Sequence, residues 1–521
     1  MTTNKTLIKS TGIISSAITS SRILGFLRDI LFARWFGTNI YAQAFVVAYR
    51  IPNMLRDMVG EGATNAAIVP VLSNYRHTRS EEEYWTAARV IFNLMLTALS
   101  VVTVLGVVFA PLLVRIIAPG FLEDPEKFRI AVFLTRVIFP YIFFLGLLAY
   151  SKGVLNSLNY FLTPAFAPVV LNISIILSLL FLSPLIGIKG VVIGIIVGGL
   201  FQVLMQLPPL YRRGFRLDKS FQLSHPVGSQ IGRLLLPRAM GTAVYQVSIL
   251  IDTVLASLAW IVGAGGVAAL YYSNRLVQLP LAVFGISLAT AALPRMSREV
   301  AMNDIEKLRG TVSFSLRTVF TIMVPAAVGL MVLAKPIVRI LFERGEFTPY
   351  STSITVNALF FYTFGLLAYA GIKILVGTYY SLGDTRTPVK TALAALLVNI
   401  VFNLILMWPL KIGGLALATS IAATTNLVIL YVILMRRIGD IGTGAIISSL
   451  MRIFSATVVM GLFTFFMKRL FLDAQALSTP VAFLRLLGVI LTSGIVYFAA
   501  SCAAGVEASR KMLKAVIARI S

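Results

Sequence analysis

The sequence has few charged residues. Of its 521 residues, 12% are Asp, Glu, Lys or Arg, and 58% are hydrophobic. A soluble globular protein carries about twice that charged fraction. Apolar runs of about twenty residues, each long enough to cross a bilayer as a helix, recur along the chain. We therefore expect an all-α polytopic membrane protein.

Side chains that build catalytic and metal centres are also scarce. The single cysteine, Cys502, permits no internal disulfide and no thiolate metal site. The two histidines, His77 and His225, lie in polar loops and are too few for a histidine-rich site. The sequence has no P-loop motif, which argues against ATP coupling within this chain. These absences predict a transporter without a resident cofactor rather than an enzyme.

The net charge is strongly positive, with 45 Lys and Arg residues against 20 Asp and Glu residues. No RNA- or DNA-binding motif accompanies the basic residues, which lie mostly between the apolar runs, so we expect no nucleic-acid partner. Cationic loops are typical beside an anionic inner leaflet, and membrane lipids are the expected contacts. The polar start, Met1 to Ser10, leads into an apolar run without a small-residue cleavage site. This pattern predicts an uncleaved first helix.

Residues 111–214 have a degenerate second copy about 224 positions later. The copies share stretches of similar sequence: Leu113–Ile117 with Ile337–Leu341, Gly146–Tyr150 with Gly365–Tyr369, Ser157-Leu158 with Ser381-Leu382, and Tyr211–Arg213 with Met435–Arg437. A membrane protein built twice on one apolar plan usually holds its working site between the copies. The repeat is therefore typical of a transporter.

The apolar runs predict about fourteen membrane-spanning helices. They lie near residues 10–33, 40–60, 86–113, 130–152, 163–184, 188–210, 232–259, 268–293, 311–333, 354–380, 389–409, 413–435, 445–468 and 482–505. The duplication groups them as two six-helix repeats plus two C-terminal helices. Because six is even, the two repeats enter the membrane in parallel orientation.

This grouping predicts an N-terminal lobe, a C-terminal lobe, and a final helix pair followed by a tail. The predicted bounds are 1–217, 218–440 and 441–521. Loops after even-numbered spans, together with both termini, carry about twice as many Lys and Arg residues as loops after odd-numbered spans. We therefore expect both termini in the cytoplasm.

Several arginines interrupt the apolar spans of both repeats. These arginines and one adjacent acid are Arg22, Arg28, Asp29, Arg50, Arg56 and Arg275. A charge at mid-bilayer costs at least about 2.5–3.5 kcal/mol and normally faces a wet cavity or a partner. The arginines therefore predict a cationic substrate-binding chamber between the copies. For Arg56, near a span end, an ion pair with Asp57 is an equal alternative.

Arginine in such a chamber favours an anionic ligand. Its planar guanidinium binds phosphate oxygens in bidentate fashion and loses its water more easily than an ammonium group does. The chamber therefore predicts a substrate that carries phosphate or pyrophosphate. Organic cations are disfavoured, because they are bound by carboxylates and aromatic walls.

A second polar set, in spans seven, eleven and twelve, comprises Asp252, Asn399, Asn403 and Thr419. Their carboxylate, amide and hydroxyl oxygens suit a hard cation, so they form a candidate Na⁺ site. Hydrogen bonds that hold membrane helices together are the alternative for the asparagines and the threonine. Asp252 fits that alternative less well, because an unpaired buried carboxylate is costly. We therefore expect either Na⁺ or the membrane potential to supply the free energy for transport.

Several groups of short motifs along the chain carry a family resemblance. They are Ser21-Arg22-x-Leu24-Gly25-Phe26-x-Arg28-Asp29, Pro52-Asn53-Met54-Leu55-Arg56 with Glu61-Gly62-Ala63 and Val69-Pro70, Ala118-Pro119-Gly120-Phe121, Pro164-Ala165-Phe166-Ala167-Pro168 with Leu171-Asn172-Ile173, Tyr271-Tyr272-x-x-Arg275-Leu276, and Asp384-Thr385-Arg386-Thr387-Pro388-Val389. Together these motifs resemble the MurJ (MviN) family of lipid II flippases.

The resemblance implies the fold of the multidrug/oligosaccharidyl-lipid/polysaccharide exporter superfamily, with fourteen helices in two lobes. It also implies that the chain flips lipid II, an undecaprenyl-pyrophosphate-linked disaccharide-pentapeptide, to the periplasmic leaflet of the bacterial inner membrane by alternating access. By matching motif, Arg22, Arg28, Asp29, Arg56 and Arg275 would line the cavity and meet the pyrophosphate. The last two helices would border a groove for the polyprenyl tail. A monomer, with cell-wall synthesis enzymes as further partners, is the expected assembly.

Two positions depart from the family pattern. Gln43 and Asn274 stand where some members of the family carry an acid, so a mechanism that requires those carboxylates is not expected here. Two other functions fit the same architecture: export of another polyprenyl-linked saccharide, and antiport of drugs or cations.

Overall fold

The computed structural model describes residues 2–56, 67–216, 222–472 and 479–520. Throughout these ranges the regular secondary structure is helical, as the composition predicts. The chain divides into two compact units, one comprising Met1–Leu258 with Arg344–Glu346 and the other comprising Ala259–Glu343 with Phe347–Ser521. The two units are defined by spatial contacts, whereas the predicted lobes are defined by the sequence repeat. The bounds of the lobes therefore stay predictions.

The first unit contains twelve helices within its described residues. They are α1 (Thr2–Phe36), α2 (Ile40–Leu55), α3 (Val69–Thr78), α4 (Glu81–Val108), α5 (Ala110–Ile117), α6 (Pro125–Ile138), α7 (Tyr141–Ser157), α8 (Leu162–Phe181), α9 (Ser183–Ile186), α10 (Ile188–Leu204), α11 (Leu207–Arg212) and α12 (Pro226–Ala256).

The second unit also contains twelve described helices. They are α13 (Ala259–Val262), α14 (Gly266–Pro280), α15 (Ile286–Ala301), α16 (Ile305–Val332), α17 (Ala334–Phe342), α18 (Pro349–Thr363), α19 (Leu366–Ser381), α20 (Arg386–Leu410), α21 (Ile412–Ile438), α22 (Thr443–Phe471), α23 (Thr479–Ala503) and α24 (Glu507–Ile520). A π-helical turn, Leu281–Gly285, joins α14 to α15.

Short polar side chains set where several of these helices begin. The Oδ1 atom of Asn39 accepts hydrogen bonds from the backbone N–H groups of Tyr41 and Ala42 at the start of α2. Ser80 caps α4 in the same way, and Asp124 caps α6. Such caps satisfy donors that the first turn leaves without partners. The helix starts are therefore specified locally by the sequence.

Ten helical stretches of the described residues are long and apolar enough to cross a membrane. The helices α18 and α19, bent by 46° at their junction, make an eleventh when they are counted as one span. The three other predicted spans overlap α1, α2 and α12. Residues 57–60 of the second predicted span lie outside the described residues. A multi-pass helical membrane protein is thus confirmed, while the count of fourteen stays a prediction.

Helices α8 and α10 pack closely because one face of α10 carries glycines. A Cβ atom at Gly194 would lie 2.6 Å from Ser178 Cβ, and one at Gly198 would lie 2.9 Å from a Leu171 methyl group. The close approach lets Ser174 Oγ on α8 donate a hydrogen bond to Gly194 O at 2.8 Å. Small residues of this kind are a common basis for helix pairing in membranes.

The stretches that match across the repeat fold alike within their own units. Short helices contain the first pair of matching stretches, α5 with 8 residues and α17 with 9. The second pair lies in α7 and at the start of α19, and the basic residues of the last pair end α11 and α21. The relative orientation of the two copies stays a prediction.

Candidate functional site

Arg28 is held on α1 by its neighbour in sequence and by α8. Its Nε and Nη2 atoms donate hydrogen bonds to Asp29 Oδ1 at 3.1 and 2.8 Å. Its Nη1 atom donates to Asn172 Oδ1 at 3.1 Å. The Asp29 side chain is buried, with 4% exposed, whereas 16% of the Arg28 side chain is exposed. Asp29 and Asn172 therefore help to fix the direction of the guanidinium, while part of the Arg28 side chain stays exposed.

Asn172 links α8 to α1 through both ends of its amide. Its Nδ2 atom donates to Ser21 O at 3.1 Å while its Oδ1 atom accepts from Arg28. Gly25 lies opposite this amide, and a Cβ atom at Gly25 would be 3.6 Å from Asn172 Nδ2. In the sequence, Asn172 belongs to the motif Leu171-Asn172-Ile173. An amide in an otherwise apolar span is the signal that marks it as a polar contact between helices.

The other predicted arginines of the first unit lie at different depths. Arg22 on α1 is exposed, and Arg50 on α2 is half-buried. Arg56 is also half-buried, and its backbone N–H donates to Pro52 O and Asn53 O at the end of α2. Arg56 is one of the residues that line a cavity of about 400 Å³.

Two sequence elements around Arg56 fall in the gap between residues 56 and 67. They are Asp57, the alternative partner of Arg56, and the motif Glu61-Gly62-Ala63, and both lie outside the described residues. For Arg56, the ion pair with Asp57 and the ligand contact therefore stay equal alternatives.

In the second unit, Arg275 lies on α14 one turn after Tyr271. Its Nη2 atom donates to the Tyr271 hydroxyl at 3.5 Å, and its guanidinium carbon lies 5.0 Å from the centre of the Tyr271 ring. Attraction of a cation by an aromatic face helps to hold the arginine in place. Asn274 Oδ1 accepts a hydrogen bond from Gln278, so the position of a family acid is occupied by an amide pair.

The polar residues of α20 and α21 contact one another. Asn403 Nδ2 donates to Asn399 Oδ1 at 3.0 Å, and Asn399 Nδ2 lies 3.4 Å from Thr419 Oγ1. Both asparagines are buried. Asp252, which belongs to the first unit, is buried near the end of α12 with 8% exposed. The ion-site assignment stays a prediction.

Gln43 stands at a position where some family members carry an acid, and its side chain both accepts and donates hydrogen bonds. Its Oε1 atom accepts a hydrogen bond from Lys127 Nζ at 3.0 Å, and its Nε2 atom donates to Thr38 O at 3.2 Å. Lys127 is buried and lies 4.1 Å from the centre of the Phe121 ring. An amide and an aromatic face thus stabilise a buried ammonium. Lys127 carries no signal in the sequence that would single it out, because it precedes an apolar span.

The contacts of these arginine side chains suit the binding of an anion more than catalysis of a reaction. A guanidinium oriented by a carboxylate and an amide binds phosphate oxygens strongly. Within the described ranges, no group of three or more His, Cys, Asp or Glu residues is placed to hold a metal ion.

Comparison with known proteins identifies the family. The profile described as "Lipid II flippase MurJ" matches residues 32–484. The "Probable lipid II flippase MurJ" of Vibrio cholerae serotype O1 is 37% identical over 441 residues, which are 83% of this chain and 83% of that protein. The "Probable lipid II flippase MurJ" of Buchnera aphidicola subsp. Baizongia pistaciae is 33% identical over 94% of this chain and 95% of its own length.

Solved structures agree with this assignment. A structure described as "Lipid II flippase MurJ, inward closed conformation" superposes with a TM-score of 0.79 at 28% identity, covering 94% of this chain and 97% of that chain. An inward-facing multidrug resistance MATE family transporter of the MOP superfamily shares the fold, with a TM-score of 0.66 at 16% identity over 81% of this chain and 96% of its own. The chain therefore belongs to the MurJ family of lipid II flippases, which are transporters rather than enzymes.

Proposed function

We propose that the chain translocates lipid II from the cytoplasmic to the periplasmic leaflet of the bacterial cytoplasmic membrane by alternating access. The observation that carries the proposal is the orientation of Arg28 on α1. Arg28 is oriented by Asp29 and Asn172 and keeps part of its surface accessible. The ion pair with Asp29 keeps this cation within a membrane-length helix. The exposed part of the Arg28 side chain is where we place a phosphate oxygen of lipid II.

The roles of the charged residues follow from their contacts. Arg28 binds a phosphate oxygen, while Asp29 and Asn172 hold the guanidinium in one direction, so that little side-chain entropy is lost when the ligand arrives. Arg275 is held by Tyr271, which offers it a ring face and a hydroxyl. Arg22, Arg50 and Arg56 complete the predicted cationic lining.

The polyprenyl tail stays in the lipid for most of its length. Moving a long hydrocarbon chain through water would cost about 0.8 kcal/mol for each CH₂ group. The headgroup therefore crosses inside the protein while the tail passes alongside, as in the groove that the resemblance assigns to the last two helices. Both termini lie in the cytoplasm in this scheme, because the basic loops and tail are retained on that side.

A cation bound near Asp252, or the membrane potential, resets the cycle in our proposal. The carboxylate of Asp252 is buried near the end of α12, and carboxylate oxygens are ligands that hard cations such as Na⁺ prefer. Replacement by asparagine should abolish any stimulation of transport by Na⁺ and leave headgroup binding unchanged. Stimulation that persists in Asp252→Asn would exclude this residue as an ion ligand. A monomeric state and association with cell-wall synthesis enzymes stay predictions.

Complementation of a bacterium depleted of its own flippase tests the proposed function. The parent chain should restore growth, and Arg28→Ala at equal protein level should not. Arg28→Lys should restore growth in part, because lysine keeps the charge but not the planar fork. Arg212→Ala is the matched control, since Arg212 is an exposed arginine at the end of α11 in the same unit. Growth of Arg28→Ala equal to that of the parent would refute the role of Arg28.

A cation exporter is the competing function on this fold. Drug efflux that survives the double change Arg22→Ala and Arg275→Ala, with no lipid II translocation by the parent, would favour that alternative.

A further inference from the structure

A cavity of about 400 Å³ lies within the first unit, where α2, α4, α7 and α12 meet. Its volume falls in the range of small-molecule pockets, about 300–1,000 Å³. The walls include Ile91, Met95 and Leu99 from α4, Ile142 from α7 and Ile231 from α12. Among the described residues of the lining, Arg56 is the one with a polar side chain. A cavity of this composition suits a hydrocarbon chain, because water would find few hydrogen-bonding partners there.

Glycines on α12 contribute to the open space. Gly228, Ile231, Gly232 and Leu235 line the cavity at helical spacing. A Cβ atom at Gly228 would lie 3.0 Å from a Leu94 methyl group, whereas one at Gly232 would meet nothing within 4 Å. A side chain added at Gly232 would therefore occupy free space rather than displace a neighbour.

The position of Arg56 defines the chemistry of the occupant. Arg56 and the preceding Leu55 both line this cavity, so the lining includes one cationic residue. A cation that adjoins an apolar cavity fits an anionic group joined directly to a hydrocarbon chain. In a polyprenyl pyrophosphate, the pyrophosphate is bonded to the first isoprene unit without a polar linker. A phospholipid places two ester groups between its phosphate and its chains, and the described lining residues offer no further polar side chains for those esters.

We infer that this cavity holds the isoprene units next to the pyrophosphate of the substrate, while Arg56 contacts the pyrophosphate itself. The inference rests on the proposed function and adds a second recognition element to it. The arginines bind the charged pyrophosphate, and the cavity binds the hydrocarbon attached to it. The protein thereby selects a polyprenyl pyrophosphate over free pyrophosphate and over a phospholipid, whose phosphates carry the same chemistry.

Short analogues of the substrate test the inference on the purified full-length chain. The probes are inorganic pyrophosphate, geranyl pyrophosphate and farnesyl pyrophosphate. For the parent, affinity should rise with each isoprene unit and be at least about tenfold higher for farnesyl pyrophosphate than for inorganic pyrophosphate, which corresponds to about 1.4 kcal/mol. In Gly232→Leu most of this gain should disappear, while the affinity for inorganic pyrophosphate stays that of the parent.

Two further variants control for side effects of the substitution. Gly310→Leu makes the same change at a helical glycine of α16 that also has open space around its Cβ position but does not line the cavity. It should bind all three probes as the parent does. Gly232→Ala, which adds one methyl group, should lie between the parent and Gly232→Leu. Partition of the probes into detergent is the same for all variants, so the comparison isolates the cavity.

Three results would overturn the inference. The first is equal affinity of the parent for all three pyrophosphates, and the second is binding of farnesyl pyrophosphate by Gly232→Leu at the parent level. The third is a loss of affinity for phosphatidylglycerol, and not for farnesyl pyrophosphate, in Gly232→Leu, which would make the cavity a phospholipid site. Failure of the proposed function looks different, because the parent itself would then not translocate lipid II.

Discussion

Asn172 should control substrate binding through the direction of the Arg28 guanidinium. Its Oδ1 atom accepts from Arg28 Nη1 at 3.1 Å, a hydrogen bond to a charged group worth about 1.5–3 kcal/mol. Asn172→Ala removes this acceptor and the hydrogen bond to Ser21 O. Arg28 then keeps its charge but loses one of the groups that orient it. We expect the affinity for lipid II to fall about tenfold, or about 1.4 kcal/mol.

Asn172→Asp should weaken binding further although it conserves shape. The new carboxylate would lie about 7 Å from a phosphate bound on the far side of the guanidinium. At an effective dielectric constant of about 20, the two negative charges repel by about 2 kcal/mol, or about thirtyfold in affinity. The predicted order of affinity is therefore the parent, then Asn172→Ala, then Asn172→Asp.

Binding of lipid II to the purified variants measures this order. The control is Ser174→Ala, which removes a hydrogen bond to Gly194 O from the same helix and should bind as the parent does. A double-mutant cycle with Arg28→Ala should give a coupling energy of about 1–3 kcal/mol. Coupling below about 0.5 kcal/mol, or binding by Asn172→Asp at the parent level, would refute the orienting role.

Three further predictions concern stability and are checked by thermal unfolding. Burial raises the pKa of Asp384, but hydrogen bonds from Thr387 and Arg386 outweigh this effect and lower the pKa below its usual range. The contribution of Asp384 to the stability of the fold is therefore present above the ordinary pKa and is lost as the pH falls through the lowered one. Asp384→Asn should flatten this dependence of stability on acid pH, and an unchanged acid profile would contradict the prediction. Gln43→Leu leaves the buried Lys127 ammonium without the Oε1 acceptor of Gln43 and should destabilise the fold by about 1–3 kcal/mol; a midpoint equal to that of the parent would contradict this. Gly194→Leu should destabilise by about 1–3 kcal/mol or more, because its Cβ would come within 2.6 Å of α8; an unchanged midpoint would contradict this.

The helical architecture follows from local sequence features. Hydrophobic runs longer than about eighteen residues specify spans, and capping residues such as Asn39 and Ser80 fix helix starts within a few positions. Asn399 and Asn403 are four positions apart on α20 and form a hydrogen bond, as is typical of this spacing, because residues four apart on a helix are neighbours. These features depend on short stretches of chain, and so the sequence specifies them.

The partners of the charged groups are not local and could not be derived from composition or spacing. Asn172 lies 144 positions from Arg28, and Gln43 lies 84 positions from Lys127. Such pairs form only when helices pack, and the hydrophobic pattern does not specify which helix packs against which. The cavity beside Arg56 is still less visible in the sequence, because it needs α2, α4, α7 and α12 together.

Translocation of fluorescent lipid II in proteoliposomes tests the central claim most directly. The parent should move the lipid across the bilayer, and Arg28→Ala should slow this movement at least about tenfold at equal reconstitution, while Arg212→Ala should not. Because Arg28 is the cation that Asp29 and Asn172 orient, its loss removes about 1.4 kcal/mol or more of binding free energy. Translocation by Arg28→Ala at the parent rate would contradict the claim that an oriented guanidinium carries the headgroup.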